Sequence, residues 1–201
     1  DGRTHYQGLY FRPSSSNGIV LGSDGTTVLS GSSTASSSNI TISADRATFV
    51  VNNTQLSTSG EVKVEPVGAS FIQALDATKL SITDEPSAVT IGKPTNTAAV
   101  TVGTITAAGP ISVYGDDIAV NQNLTSTLAD ADILLKGSGN ITLAASKTIQ
   151  TNNGDIIFWA DSDGNNEGSI SVGNSVTLNS ANGSTSQATG GCRIVLAGGN
   201  T

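Results

Sequence analysis

The sequence has few of the residues that carry most catalytic and metal chemistry. Among 201 residues there is one cysteine, Cys192, one histidine, His5, and no methionine. A single thiol provides neither a disulfide framework nor a thiolate metal cluster. With one histidine, in the polar amino-terminal stretch, no nucleophile–base pair is evident.

Charge is also sparse. Charged residues make up 12% of the chain and the net charge is −7, with the nine basic residues scattered. Nucleic-acid binding needs a concentrated positive surface, so we predict no nucleic-acid partner and disfavour polyanions and acidic lipids. No run of about 18 apolar residues occurs, so we expect no membrane insertion.

The residues that are present favour strands and turns. Hydrophobic residues make up 36% of the chain but aromatic residues only 4%, so Val, Ile, Leu and Ala supply the apolar material. β-branched side chains suit pleated surfaces. About a quarter of the residues are Ser or Thr, alongside many Asn and Gly, and these residue types favour turns.

A short pattern recurs along the chain, in which a small or turn residue precedes an apolar–x–apolar triplet. Alternation with a period of two is typical of a strand with one side chain inward and the next outward. The pattern occurs at residues 39–42 (NITI), 60–64 (GEVKV), 109–113 (GPISV), 139–143 (GNITL), 154–158 (GDIIF), 168–172 (GSISV) and 191–196 (GCRIVL).

The spacing of the triplets predicts the fold. Ile111, Ile133 and Ile156 lie 22 and 23 residues apart, and further triplets arrive every seven or eight residues between them. Three short strands per coil of about 22–23 residues predict an all-β, right-handed parallel β-helix (a β-solenoid), with coils stacked about 4.8 Å apart. A β-sandwich is the alternative, but its strands are usually longer and its core richer in aromatic residues.

The chain divides into two parts by composition. We predict that residues 1–16 form a linker or partial coil and that residues 17–201 form the β-helix, as a fragment of a longer solenoid. Within it, residues 69–78 are expected to form an irregular corner and the serine-rich run 30–38 a surface loop. Because both ends of a solenoid expose strand edges, we expect the stack to continue into further coils.

The ordered series of motifs between about residues 39 and 199 resembles the large bacterial adhesins and β-strand-repeat exoproteins of the filamentous-haemagglutinin type. The segments that carry the resemblance are residues 90–97 (TIGKPTNT), 111–115 (ISVYG), 132–137 (DILLKG), 139–143 (GNITL) and 151–163 (TNNGDIIFWADSD).

The resemblance implies a structural or adhesive shaft segment of a large secreted protein at the bacterial cell surface, without catalysis. Its expected partner is a glycan or protein on a host or neighbouring cell. No motif of the family defines adhesive residues that could be assigned here. Two alternatives stay open: a subunit that self-associates end to end in an extracellular filament, and a β-helical carbohydrate-active enzyme.

One loop is a candidate calcium site. Ca²⁺ binds six to eight oxygen atoms, and Asp161, Asp163, Asn165 and Glu167 supply oxygens at alternate positions. The run departs from the EF-hand template. The alternative is a solvent-facing corner that uses Asp, Gly and Asn for turn conformations. We therefore expect no required cofactor, with Ca²⁺ as the one candidate.

Two carboxylate pairs, Asp116–Asp117 and Asp130–Asp132, are candidates for the acid and base of a polysaccharide hydrolase. The interpretation we favour is that both pairs are solvated corner carboxylates. In the adjacent residues Phe158 and Trp159, strand alternation requires that one face outward. An exposed tryptophan can stack on a sugar ring, although covering a corner of the solenoid is the commoner role.

Overall fold

The computed structural model describes residues 8–11, 19–21, 27–30, 39–49, 54–181 and 192–199. The predictions for His5 and for most of the serine-rich run, residues 31–38, lie outside these ranges. The described residues form short strands and a single 3₁₀ turn, Ala77–Lys79. None of the described helical residues forms a helix long and apolar enough to cross a membrane.

The strands are Gly8–Phe11 (β1), Ile19–Leu21 (β2), Thr27–Ser30 (β3), Asn39–Ser43 (β4), Ala47–Phe49 (β5), Thr54–Ser57 (β6), Glu61–Glu65 (β7), Leu75–Asp76 (β8), Leu80–Thr83 (β9), Ala88–Ile91 (β10), Val100–Val102 (β11), Ile105–Ala107 (β12), Ile111–Gly115 (β13), Ile118–Val120 (β14), Leu124–Ala129 (β15), Ile133–Gly137 (β16), Ile141–Leu143 (β17), Thr148–Asn152 (β18), Ile156–Trp159 (β19), Ile170–Val172 (β20), Thr177–Asn179 (β21) and Ile194–Ala197 (β22).

The pairing of these strands confirms the parallel β-solenoid with three strands per coil. Each strand pairs in parallel with the strand three places along the chain, so the coil has three faces. The long face is one eight-stranded sheet, β1-β4-β7-β10-β13-β16-β19-β22. The second face holds β2-β5 and β8-β11-β14-β17-β20, and the third face holds β3-β6-β9 and β12-β15-β18-β21.

The predicted coil length holds along much of the long face, and two coils are longer. Ile111 pairs with Ile133, and Ile133 pairs with Ile156, at separations of 22 and 23 residues. Val62 pairs with Val89, 27 residues on, and this coil contains the expected irregular corner with its 3₁₀ turn. Ile156 pairs with Ile194 across 38 residues, a coil that also includes residues 182–191, which are not described.

Aliphatic ladders fill the interior. On each face the inward residue of one strand lies directly on the inward residue of the next, as Ile133 does between Ile111 and Ile156. These side chains are buried, and the strands alternate buried and more exposed residues in the way the triplets predict. Every buried side-chain nitrogen or oxygen in the described part of the chain has a hydrogen-bond partner.

The segment that begins in 1–16 contributes to this sheet. Gly8–Phe11, inside the predicted linker or partial coil, pairs in parallel with β4 on the long face. Residues 1–7 and 12–18 lie outside the described ranges. The boundary predicted at residue 16 therefore stays a prediction.

Asp and Asn residues that immediately precede a strand connect successive coils. In each case a side-chain oxygen accepts a hydrogen bond from the backbone N–H at the matching corner of the next coil. The six pairs, acceptor first, are Asn39 with Glu61, Asp117 with Asn140, Asn123 with Thr148, Asp132 with Asp155, Asn140 with Ser169, and Asp155 with Arg193, at 2.7–3.1 Å. Corner N–H groups that fall outside the strand ladders are thereby satisfied.

Gly92, which follows β10, shows how closely the coils approach at a corner. Its φ is +81°, a left-handed conformation that glycine adopts at little cost. A Cβ atom there would also collide with the carbonyl oxygen of Tyr114 in the next coil. Glycine is therefore required at this corner for both conformation and space.

The ladders predict which side of a strand carries stability. Replacing inward Ile133 with alanine should lower the free energy of unfolding by about 3 kcal/mol, because a buried cavity replaces its side chain. Replacing the neighbouring outward Leu134 should cost less than about 1 kcal/mol. Urea unfolding followed by circular dichroism measures both values, and equal losses would contradict the assignment of faces.

Candidate functional site

The two carboxylate pairs considered for hydrolysis form contacts within the scaffold. Asp117 accepts hydrogen bonds from the backbone and side-chain nitrogens of Asn140, at 2.8 and 3.1 Å. Asp116 accepts one from the hydroxyl of Ser138 at 2.9 Å, and Asp132 accepts one from the backbone N–H of Asp155 at 2.7 Å. The geometry thus favours the interpretation of these residues as corner carboxylates.

The calcium candidate forms an exposed loop after β19 whose polar groups bond to one another. Asp161 accepts from the backbone N–H of Asn166 at 2.9 Å, Asp163 from the amide of Asn165 at 3.0 Å, and Asn165 from the N–H of Glu167 at 2.8 Å. Across the described residues, no three His, Cys, Asp or Glu side chains are grouped to hold a metal ion. Calcium binding at this loop stays a prediction.

Cys192 and Arg193 precede β22 in the last described coil. The thiol of Cys192 is partly buried and lies 3.6 Å from Oδ1 of Asn153. The guanidinium of Arg193 meets the carboxylate of Asp155 with two nitrogens, at 2.6 and 3.0 Å, while Asp155 also accepts the Arg193 backbone N–H at 2.9 Å. The hydrogen bonds from Arg193 hold the pKa of the buried Asp155 carboxyl below its usual value.

A groove about 190 Å³ in volume runs along one corner of the solenoid, where the long-face strands β10, β13, β16 and β19 end. Its lining comes from four successive coils and includes Thr97, Ser138, Ser162, Lys136 and Asp163. Because parallel strands of the long face end at the same corner, residues far apart in sequence meet there. We call this feature the corner groove.

Several hydroxyl groups at the corner groove are already engaged. Thr97 donates to the Ser70 hydroxyl, at 3.2 Å, and Ser138 donates to Asp116, at 2.9 Å. The charged groups are freer. The Lys136 ammonium has no carboxylate within 4.0 Å among the described residues, and the Asp163 carboxylate is exposed with Asn165 as its recorded partner.

An aromatic row borders the corner groove on the long face. Tyr114, Lys136 and Trp159 occupy the same outward position in β13, β16 and β19, so they lie side by side. The Lys136 ammonium lies 4.3 Å from the centre of the Trp159 ring, a cation–π contact. Trp159 is 44% exposed whereas Phe158 is fully buried, which confirms that one of the two faces outward.

The sequence analysis singled out Trp159 but missed Tyr114 and Lys136 beside it. The repeat spacing contained the signal. Each of the three residues is the third after the isoleucine that begins its strand, and those isoleucines are the ones spaced 22 and 23 residues apart. Aligning the outward positions as well as the inward ones would have placed them in one row.

Comparison with family models, with curated proteins and with solved structures found no match. The structure therefore defines the class of protein, a parallel β-solenoid, and gives no family. The resemblance to filamentous-haemagglutinin-type exoproteins stays a prediction.

The Asp155–Arg193 pair predicts a dependence of stability on pH. Because folding lowers the pKa of Asp155, its ion pair stabilises the folded state above about pH 4 and this contribution is lost as the pH falls through the lower, folded-state pKa. Asp155→Asn keeps an oxygen for the Arg193 N–H but removes the charge. We expect its thermal midpoint to lie below that of the wild type at pH 7 and to converge with it near pH 2; a constant difference would contradict the ion-pair assignment.

Proposed function

We propose that the chain is a stiff shaft segment, structural and adhesive, of a large secreted protein at the bacterial cell surface, and that it is not an enzyme. The solenoid supports this proposal through its shape. Eight parallel strands in the long face span about 34 Å at the usual strand spacing, with each coil packed on its neighbours. Cell-surface location and adhesion rest on the sequence resemblance.

The observation that carries the proposal is the exposed last rung. Ile194 and Leu196 continue the inward ladder of Ile156 and Phe158, which are fully buried, yet they are 43% and 49% exposed. Val172 on the second face is likewise 44% exposed, above buried Leu143. A further rung would cover these apolar side chains and pair with the free edges of the last strands, so the solenoid is built to be continued.

The outer surface is compatible with an extracellular setting. A net charge of −7 with few basic residues favours solubility of a rod whose exterior is largely Ser, Thr and Asn. The hydroxyl and amide groups of the corners bond between coils, as the Gln55–Thr83 and Asn140–Ser169 contacts do. The polar exterior thus contributes to stiffness as well as to solubility.

The second candidate function is a subunit that stacks end to end in an extracellular filament. The exposed last rung favours it equally, because the strands of the first and last rungs lie on the same three faces. β1 and β22 end the long face, while the first and last strands of the other faces are β2 and β20, and β3 and β21. Head-to-tail contact through such edges is open-ended and generates a filament. The hydrolase alternative has weaker support, since its candidate carboxylates bond within the scaffold.

The mass of the native polypeptide separates the two candidates. For a shaft segment we expect a mass far above 20.1 kDa, with further triplet repeats next to this stretch. The measurement is mass spectrometry of the protein recovered from its source, with its terminal sequences. A native mass near 20.1 kDa would contradict the shaft segment and support the stacking subunit.

The exposed last rung makes a second prediction, for the 201-residue chain in solution. We expect the wild-type chain to self-associate as its concentration rises, because the apolar rung is covered on contact. Leu196→Lys, at an inward position, should shift the association about tenfold in concentration or more, whereas Val195→Lys, at the adjacent outward position, should not. Sedimentation velocity measures both; equal effects would show that the contact lies elsewhere.

A further inference from the structure

The corner groove and the tryptophan beside it have the chemistry of a sugar site. The ring of Trp159 has the Lys136 ammonium over one face. Its neighbour in the next coil is Ala197, whose methyl side chain covers little of the other face. An aromatic ring with one supported and one open face is a rigid stacking platform for the apolar C–H face of a pyranose.

The polar groups beside this platform are complementary to a pair of sugar hydroxyls. The Lys136 ammonium is a donor only, and the Asp163 carboxylate is an acceptor only. Both line the corner groove, and their recorded contacts leave them able to bond a ligand. A hydroxyl group can accept from the first and donate to the second, which neither an apolar ligand nor a simple anion can do.

We propose that the corner groove binds a hexopyranose unit of a neutral glycan, stacked on Trp159 and hydrogen-bonded by Lys136 and Asp163. A neutral glycan is favoured over an acidic one because the chain carries a net charge of −7 and Asp163 lies in the groove itself. The groove's volume of about 190 Å³ suits one or two rings held at the surface. This proposal deepens the adhesive part of the proposed function, and its failure would leave the shaft role standing.

The chain provides its own probe, because Trp159 is its one tryptophan. Intrinsic fluorescence therefore reports on this site alone. We expect titration with neutral oligosaccharides of glucose, galactose and mannose to give, for at least one of them, a saturable change in Trp159 emission. Because a single ring and two polar groups engage the sugar, the expected Kd is about millimolar.

Variants locate the site. Lys136→Met and Asp163→Asn keep the tryptophan and should each weaken the fluorescence-detected binding by about tenfold, because each removes one charged hydrogen bond. Trp159→Ala should abolish binding on an array of immobilised neutral oligosaccharides. Leu128→Ala is the matched control, since Leu128 is exposed on the third face, and it should bind as the wild type does.

Thermal melting of each variant separates loss of the site from loss of the fold. Weakened binding in Lys136→Met and Asp163→Asn, with wild-type melting and an unaffected Leu128→Ala, would support the proposal. No saturable change in Trp159 emission with any neutral oligosaccharide up to tens of millimolar, or a change only with acidic saccharides such as polygalacturonate, would overturn it. Binding that survives Trp159→Ala on the array would place any sugar site elsewhere.

Discussion

The parallel, in-register pairing of one coil on the next is the constraint on which the rest of the structure depends. Because Ile133 must lie between Ile111 and Ile156, their inward side chains form a ladder and their outward neighbours form a second ladder. Burial, the corner hydrogen bonds and the aromatic row on the surface all follow from that single register. A shift of one residue would turn every ladder inside out, which is why the apolar–x–apolar triplets recur so strictly.

The corners carry the polar half of the same arrangement. Asp or Asn before a strand satisfies an N–H of the following coil, so an acidic residue at a corner needs no catalytic explanation. Asp155 does this and also binds a guanidinium, which joins the longest described coil to its predecessor. The abundance of Asp and Asn next to apolar triplets is therefore a structural property of this fold.

Much of the architecture was predictable because the triplets repeat both inside and between coils. The strand period, the coil length on the long face and the outward position of one aromatic residue followed from spacing alone. The 27- and 38-residue coils did not, because bends and loops at corners obey no period and insertions there leave the ladders intact. The candidate site was only partly predictable: Trp159 drew attention as a residue type, whereas Lys136 and Asp163 acquire meaning from their neighbours in other coils.

The interruption near the 27-residue coil has a mechanical consequence. There the second and third faces each divide into separate sheets, between β5 and β8 and between β9 and β12, while the long face continues unbroken. Tension or torque transmitted along the rod must cross this level through one ribbon of hydrogen bonds instead of three. Bending should therefore concentrate at this level, with the long face as its spine, so that the rod behaves as two rigid lengths joined by an elastic joint.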